Sequence, residues 1–133
     1  RRGEIIMYGK KVGAILLIWF MLGIGLVGCV DTEKILADTK VENVDLKKVT
    51  DGTYNGQHSA GETRAIVAVD VKSHEMTDIE ILKHECWKGK KAEVIVEDVI
   101  EKQSLDVDIV SGATVSSKVI LKAIENALRK GIN

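Results

Sequence analysis

The sequence predicts an α+β domain, in which an antiparallel pair of strands is followed by two helices. Runs rich in β-branched residues, separated by short turns, occupy residues 51–84. Two later segments, 92–103 and 118–128, instead repeat their apolar residues at helical spacing. An uncharged apolar run at 12–30 precedes all of these elements and is typical of an N-terminal signal or membrane anchor.

Residues 1–30 are expected to form that signal peptide or anchor. Lys10 and Lys11 supply the basic start of an export signal, and the apolar run follows directly. The run is also close to the roughly 20 residues that span a bilayer, so a retained membrane anchor is the alternative. Residues 26–29, Leu-Val-Gly-Cys, resemble a bacterial lipobox, in which cleavage before Cys29 leaves that cysteine to be lipidated. We therefore expect a lipoprotein, anchored through Cys29 at the extracytoplasmic face of the bacterial cell membrane.

Residues 31–50 are polar and charged, and their scattered apolar residues form no obvious core face. This composition is typical of a tether that lifts a domain off the membrane. The domain itself is expected from residue 51 onward. A first strand is predicted near 51–57, and residues 65–71 and 77–84 are predicted to pair as an antiparallel hairpin around a turn at 73–76.

Two predicted helices follow, and the segment between them carries the most informative residues. The first helix covers 92–103, where Ala92, Ile95 and Val99 share one helical face, although the β-branched residues of this segment would also suit a strand. The second runs on from Lys118, with Ser116 or Ser117 as its N-cap.

Residues 108–117, Asp-Ile-Val-Ser-Gly-Ala-Thr-Val-Ser-Ser, predict a turn of small residues that opens the second helix. Gly112 is free to take a positive φ. The free N–H groups and the dipole of the helix start favour an anion such as phosphate. A tight turn before a capped helix is the plain alternative, because neither the Gly-Lys-Ser/Thr of a Walker loop nor the further glycines of a dinucleotide loop are present.

The pattern Asp-x-x-Ser-Gly-Ala-Thr-x-Ser at 108–116 resembles the flavinylation motif of the FMN-binding domain family. That family includes the flavoprotein subunits of the Rnf and sodium-pumping NADH:quinone reductase complexes. The resemblance continues in order through segments between residues 50 and 128, and it implies a small antiparallel sheet packed with two helices over residues 51–133. It implies FMN joined to Thr114 by a phosphoester bond. It also implies supporting roles for other motif residues: recognition by Asp108, Ser111, Gly112 and Ala113, and a hydrogen bond to the phosphate from Ser116.

The resemblance also implies how the cofactor arrives and what it serves. A threonine hydroxyl is a poor nucleophile without an adjacent base, and no histidine stands near Thr114 in sequence, so a separate flavin transferase is expected to move FMN from FAD. We expect a membrane-tethered electron-transfer module with extracytoplasmic redox partners, since no catalytic acid/base pair indicates a stand-alone enzyme. Two alternatives stay open: a reductase that binds FMN non-covalently, and a lipoprotein binding module without flavin. The net charge of -1 argues against a nucleic-acid partner.

Residues 84–91, His-Glu-Cys-Trp-Lys-Gly-Lys-Lys, depart from the Pro/Gly-rich turn of the family. His84 and Cys86, joined by His74, have the chemistry of metal ligands, but without a close-spaced ligand pair we predict no metal site. Trp87 either packs against the flavin ring or covers the core. The lysines of this run either attract the flavin phosphate or form a solvated face.

Overall fold

The computed structural model of the chain describes residues 32–86 and 88–133. The predicted signal or anchor, including Cys29, lies outside the described residues, as does Trp87. Among the helices that are described, none is both long enough and apolar enough to span a bilayer.

Three antiparallel strands form a single sheet in the order β1–β2–β3, and they span Gly52–Ala60, Thr63–Lys72 and Glu75–Glu85. In β2, the central strand, every second residue from Ala65 to Val71 is buried. The β2–β3 turn places Ser73 and His74 at φ 53° and 65°, as a hairpin turn that matches the twist of the strands requires. The antiparallel hairpin predicted from the pattern is confirmed, and so is the α+β class.

The described residues also contain three α-helices: α1 is Thr32–Asp38, α2 is Ile95–Lys102 and α3 is Thr114–Arg129. Short 3₁₀ turns, Leu46–Lys48 and Lys90–Val94, precede β1 and α2. The long helix α3 packs across β1 and β2, while α2 lies beside β3. β1 approaches α3 so closely that a Cβ at Gly56 would stand 1.9 Å from the carbonyl oxygen of Ala123. The core therefore lies between one face of the sheet and α3.

The segment before β1 is packed on the domain rather than extended away from it. Val44 and Val49 are buried, with 9% and 0% of their surfaces exposed. The Glu42 N–H donates to Glu125 Oε2 of α3 at 3.0 Å, and Val49 forms a β-bridge with Ile132. The compact unit accordingly runs from Glu33 to Asn133. Isolated apolar side chains in this irregular segment thus reach the core without any periodic pattern.

Candidate functional site

A tight turn leads directly into α3. The Ala113 N–H donates to the Val110 carbonyl at 3.0 Å, and Gly112, the third residue of this turn, has a φ of 74°. Such a φ is strained for residues that carry a Cβ, so the turn requires the glycine. The positive φ predicted for Gly112 is confirmed. Asp108, which precedes the turn, and Ser111, its second residue, are both exposed.

The helix α3 begins at Thr114, and Ala113 occupies the N-cap position without any side-chain cap. The prediction that Ser116 or Ser117 caps the helix is wrong, because both lie inside the first turn and are buried. Ser117 Oγ donates to the Ala113 carbonyl at 2.8 Å and accepts the Val110 N–H at 3.2 Å. The Ser117 hydroxyl therefore joins the turn to the helix from within.

Thr114 is exposed at the first position of α3. The first backbone hydrogen bond of the helix runs from the Ser117 N–H to the Ala113 carbonyl at 2.9 Å. The N–H groups of residues 114–116 precede that bond and are the donors that a helix start offers to an anion. The Thr114 hydroxyl thus stands beside the positive end of the helix dipole.

The loop after β3 packs against this turn at two points. Gly89 is buried, and a Cβ there would lie 1.8 Å from Ser116 Oγ and 2.5 Å from Ser116 Cβ. A Cβ at Gly112 would lie 2.8 Å from Lys91 Nζ. Two glycines therefore allow this close approach. Gly89 leaves room for the Ser116 side chain, and Gly112 leaves room for the Lys91 ammonium group.

A pocket of about 460 Å³ opens where the loop, the turn and the helix start meet. Its volume falls within the range that small-molecule sites occupy. Thr114 lines it together with three of the other predicted site residues, whereas Asp108 and Ser111 are not part of the lining. The lining residues in the described part of the chain are Thr63, Cys86, Lys88, Gly89, Gly112, Ala113, Thr114, Val115 and Ser116.

Thr63 is the lining residue that sequence reasoning missed. It begins β2 and stands about fifty positions before the motif, so only the pairing of the strands brings it there. A threonine at the start of a strand carries no signal by which the sequence could have indicated this role.

A buried histidine near the end of β3, His84, packs against the loop that follows this strand. The His84 side chain is 1% exposed, and its Nδ1 lies 3.1 Å from Glu93 Oε1 and 3.8 Å from Cys86 Sγ. The contact with a carboxylate acceptor assigns the ring proton to Nδ1, which leaves Nε2 buried without a partner in the described part of the chain. Glu93 thereby fixes the orientation of the imidazole ring that contacts Cys86.

His74 lies in the β2–β3 turn at the other end of β3, where its Nδ1 is 3.3 Å and 3.2 Å from the carbonyl oxygens of Leu46 and Val49. The structure therefore does not bring His74 to His84 and Cys86. Within residues 32–86 and 88–133, no group of three or more His, Cys, Asp or Glu side chains is arranged to hold a metal ion.

Comparison with known proteins identifies the family of this domain. The family model described as FMN-binding domain matches residues 18–129, which cover most of the chain and the whole of the pocket lining. No curated protein gives a significant match to the chain. FMN is the cofactor that this family match indicates.

The residues of the pocket fit this cofactor. A flavin mononucleotide ends in a phosphate, which needs N–H donors and positive charge, and the start of α3 supplies the donors. Beside the lining, Lys91 Nζ lies 2.8 Å from the position that a Cβ at Gly112 would take, and it supplies a cation. The Thr114 side chain lies at the start of α3 and is exposed in the lining of the pocket.

Proposed function

Since the chain belongs to the FMN-binding domain family, we propose that it carries its FMN covalently on Thr114 through a phosphoester bond. The observation that carries this proposal is the position of Thr114, an exposed hydroxyl on the first residue of α3 and in the lining of the pocket. A phosphate esterified to this hydroxyl lies within reach of the N–H groups of the first helical turn. These donors and the helix dipole stabilise its negative charge.

Attachment of the phosphate requires help from a second protein. Among the described residues, the lining of the pocket contains neither a histidine nor a carboxylate, so these residues offer no ordinary base to take the proton from Thr114. A flavin transferase that uses FAD supplies this chemistry. Thr114 Oγ1 forms the new bond to phosphorus, the phosphoanhydride bond of FAD breaks, AMP leaves and the hydroxyl proton passes to a base of the transferase.

The bound flavin supplies the redox chemistry, and the protein supplies its position and its access to partners. Permanent attachment suits a carrier outside the cytoplasm, where a lost cofactor is difficult to replace. We propose that the domain relays electrons between partners at the extracytoplasmic face of the membrane, where lipid on Cys29 holds it.

The covalent bond is tested by in-gel fluorescence of the denatured full-length chain after co-expression with a flavin transferase. We expect a fluorescent band in the wild type, its loss in Thr114→Ala, and an intact mass that corresponds to one esterified FMN. Thr63→Ala is the matched control, because it makes the same exchange in the same pocket and should keep the band. A band that persists in Thr114→Ala refutes attachment at this residue. Absence of a band in every form, with an active transferase, favours non-covalent FMN.

The membrane anchor is tested by metabolic labelling with palmitate. The wild type and Cys86→Ser should incorporate the label, whereas Cys29→Ser should not. Equal labelling of Cys29→Ser and the wild type would contradict the lipoprotein assignment.

A further inference from the structure

Lys91 is a lysine whose backbone is fixed beside the turn that opens α3. It belongs to the 3₁₀ turn Lys90–Val94. On one side of it, Gly89 is packed against Ser116. On the other side, Ala92 is fully buried, and its N–H donates to the Gly89 carbonyl at 2.9 Å. The loop therefore keeps the Lys91 backbone in one place and leaves the exposed side chain free to respond to a ligand.

The ammonium group of Lys91 lies over Gly112. The 2.8 Å between Nζ and the position of a Cβ at Gly112 puts the charge against the turn, two residues before Thr114. Lys91 forms no ion pair with any described carboxylate, in contrast to Lys83 and Lys122. A cation that is held near a helix start without a carboxylate partner is available to an anion at that place.

We propose that Lys91 binds the phosphate group of the FMN carried by Thr114. This inference rests on the proposed function and adds to it a binding residue that lies outside the motif at 108–116. A phosphodiester on Thr114 carries one negative charge, which the helix start compensates only in part, since its dipole is equivalent to roughly half a charge. Lys91 supplies the remaining positive charge. Its flexible stem lets the ammonium move from the turn to the phosphate oxygens when the ester forms.

Lys90 provides the matched comparison for this assignment. It is the neighbouring residue in the same 3₁₀ turn, is also exposed and, like Lys91, is not part of the pocket lining, but unlike Lys91 it does not approach Gly112. Lys90→Gln and Lys91→Gln therefore remove the same charge from the same loop. Only Lys91→Gln removes a charge that lies next to the proposed phosphate position.

The first measurement is the initial rate at which a purified flavin transferase loads the full-length chain. We expect Lys91→Gln to load roughly fivefold to tenfold more slowly, which corresponds to the loss of one partly screened charge-assisted hydrogen bond. Lys91→Arg should retain most of the rate, and Lys90→Gln should load like the wild type. The difference between the two glutamine variants should diminish at high salt, because the interaction lies at the surface.

The second measurement is the ³¹P NMR resonance of the fully loaded protein, which does not depend on the transferase. Lys91→Gln should shift the phosphodiester resonance, whereas Lys90→Gln should leave it in place. If the two glutamine variants agree in both rate and resonance while Thr114→Ala still abolishes loading, the role of Lys91 is refuted and the carrier function stands. If the wild type never acquires covalent flavin, the proposed function fails and this assignment fails with it.

Discussion

Replacing Glu125 with glutamine tests what holds the segment before β1 to the domain. The Glu125 side chain is 1% exposed, and its carboxylate accepts hydrogen bonds from Lys122 Nζ at 2.8 Å, Arg129 Nε at 2.7 Å and the Glu42 N–H at 3.0 Å. Burial by itself raises the pKa of Glu125, but the hydrogen bonds from Lys122, the Glu42 amide and Arg129 outweigh it. The pKa therefore lies below its ordinary value of 4.5.

The size of the effect follows from these contacts. Glutamine keeps the shape of the side chain and one acceptor oxygen, but it loses the negative charge that strengthens each hydrogen bond. A hydrogen bond to a charged group contributes roughly 1.5–3 kcal/mol. Partial exposure of Lys122 and Arg129 reduces this gain, and removal of the charge relieves the desolvation of the carboxylate. We expect Glu125→Gln to lower the free energy of unfolding by about 1–2 kcal/mol at pH 7.

Urea unfolding across a pH series measures this loss. A group whose folded-state pKa is lowered stabilises the fold above its unfolded pKa and loses that contribution as the pH falls through the folded pKa. The deficit of Glu125→Gln should therefore be complete above pH 4.5 and shrink in more acidic solution. Glu97→Gln, an exposed exchange on α2, is the control and should change stability by less than ~0.5 kcal/mol. Equal stability of the two variants at pH 7, or a deficit that persists in acid, would refute the reasoning.

Three further substitutions examine the contacts of the loop and the turn next to the pocket, one of them as a control. Gly89→Ala would place a methyl group 1.8 Å from Ser116 Oγ, so the loop must move away from α3, and we expect covalent flavin loading to fall several-fold in the in-gel fluorescence assay. Gly61→Ala is the control, because a φ of 60° in the β1–β2 turn is strained for alanine. It should destabilise the domain by about 1 kcal/mol without slowing loading. Equal loading of Gly89→Ala and Gly61→Ala would argue against the contact between the loop and α3. Ser117→Ala leaves the Val110 N–H without its acceptor and should lower the free energy of unfolding by about 1–3 kcal/mol in urea. A loss below ~0.5 kcal/mol would mean that water replaces the hydroxyl.

The local sequence pattern was sufficient to predict those elements whose own residues display the period or the turn residues typical of them. The hairpin of β2 and β3 follows from alternating β-branched residues on both sides of a short turn, and it forms as predicted. The first predicted helix is confirmed in α2, although α2 begins at Ile95 because the 3₁₀ turn Lys90–Val94 takes the residues before it. The conformation of Gly112 follows from its place among small residues at a helix start.

Tertiary contacts decided the features that no local pattern carries. The start of α3 was predicted at Lys118, four residues late, because Ser116 and Ser117 are good N-caps in isolation but are buried by the loop and the turn. Likewise, the composition of residues 31–50 predicts a tether, and only contacts such as the one between Glu42 and Glu125 attach part of this segment to the domain.

The amino-acid sequence by itself determined the α+β class, the hairpin, the glycine turn before Thr114 and the family to which the chain belongs. These properties depend on residue types at short spacing, which a sequence displays directly. Only the tertiary structure decided that the loop after β3 carries Lys91 to the turn, that Thr63 enters the pocket, and that apolar residues before β1 pack against the core. Each of these depends on side chains far apart in the chain that meet once the strands have paired and the core has closed over α3.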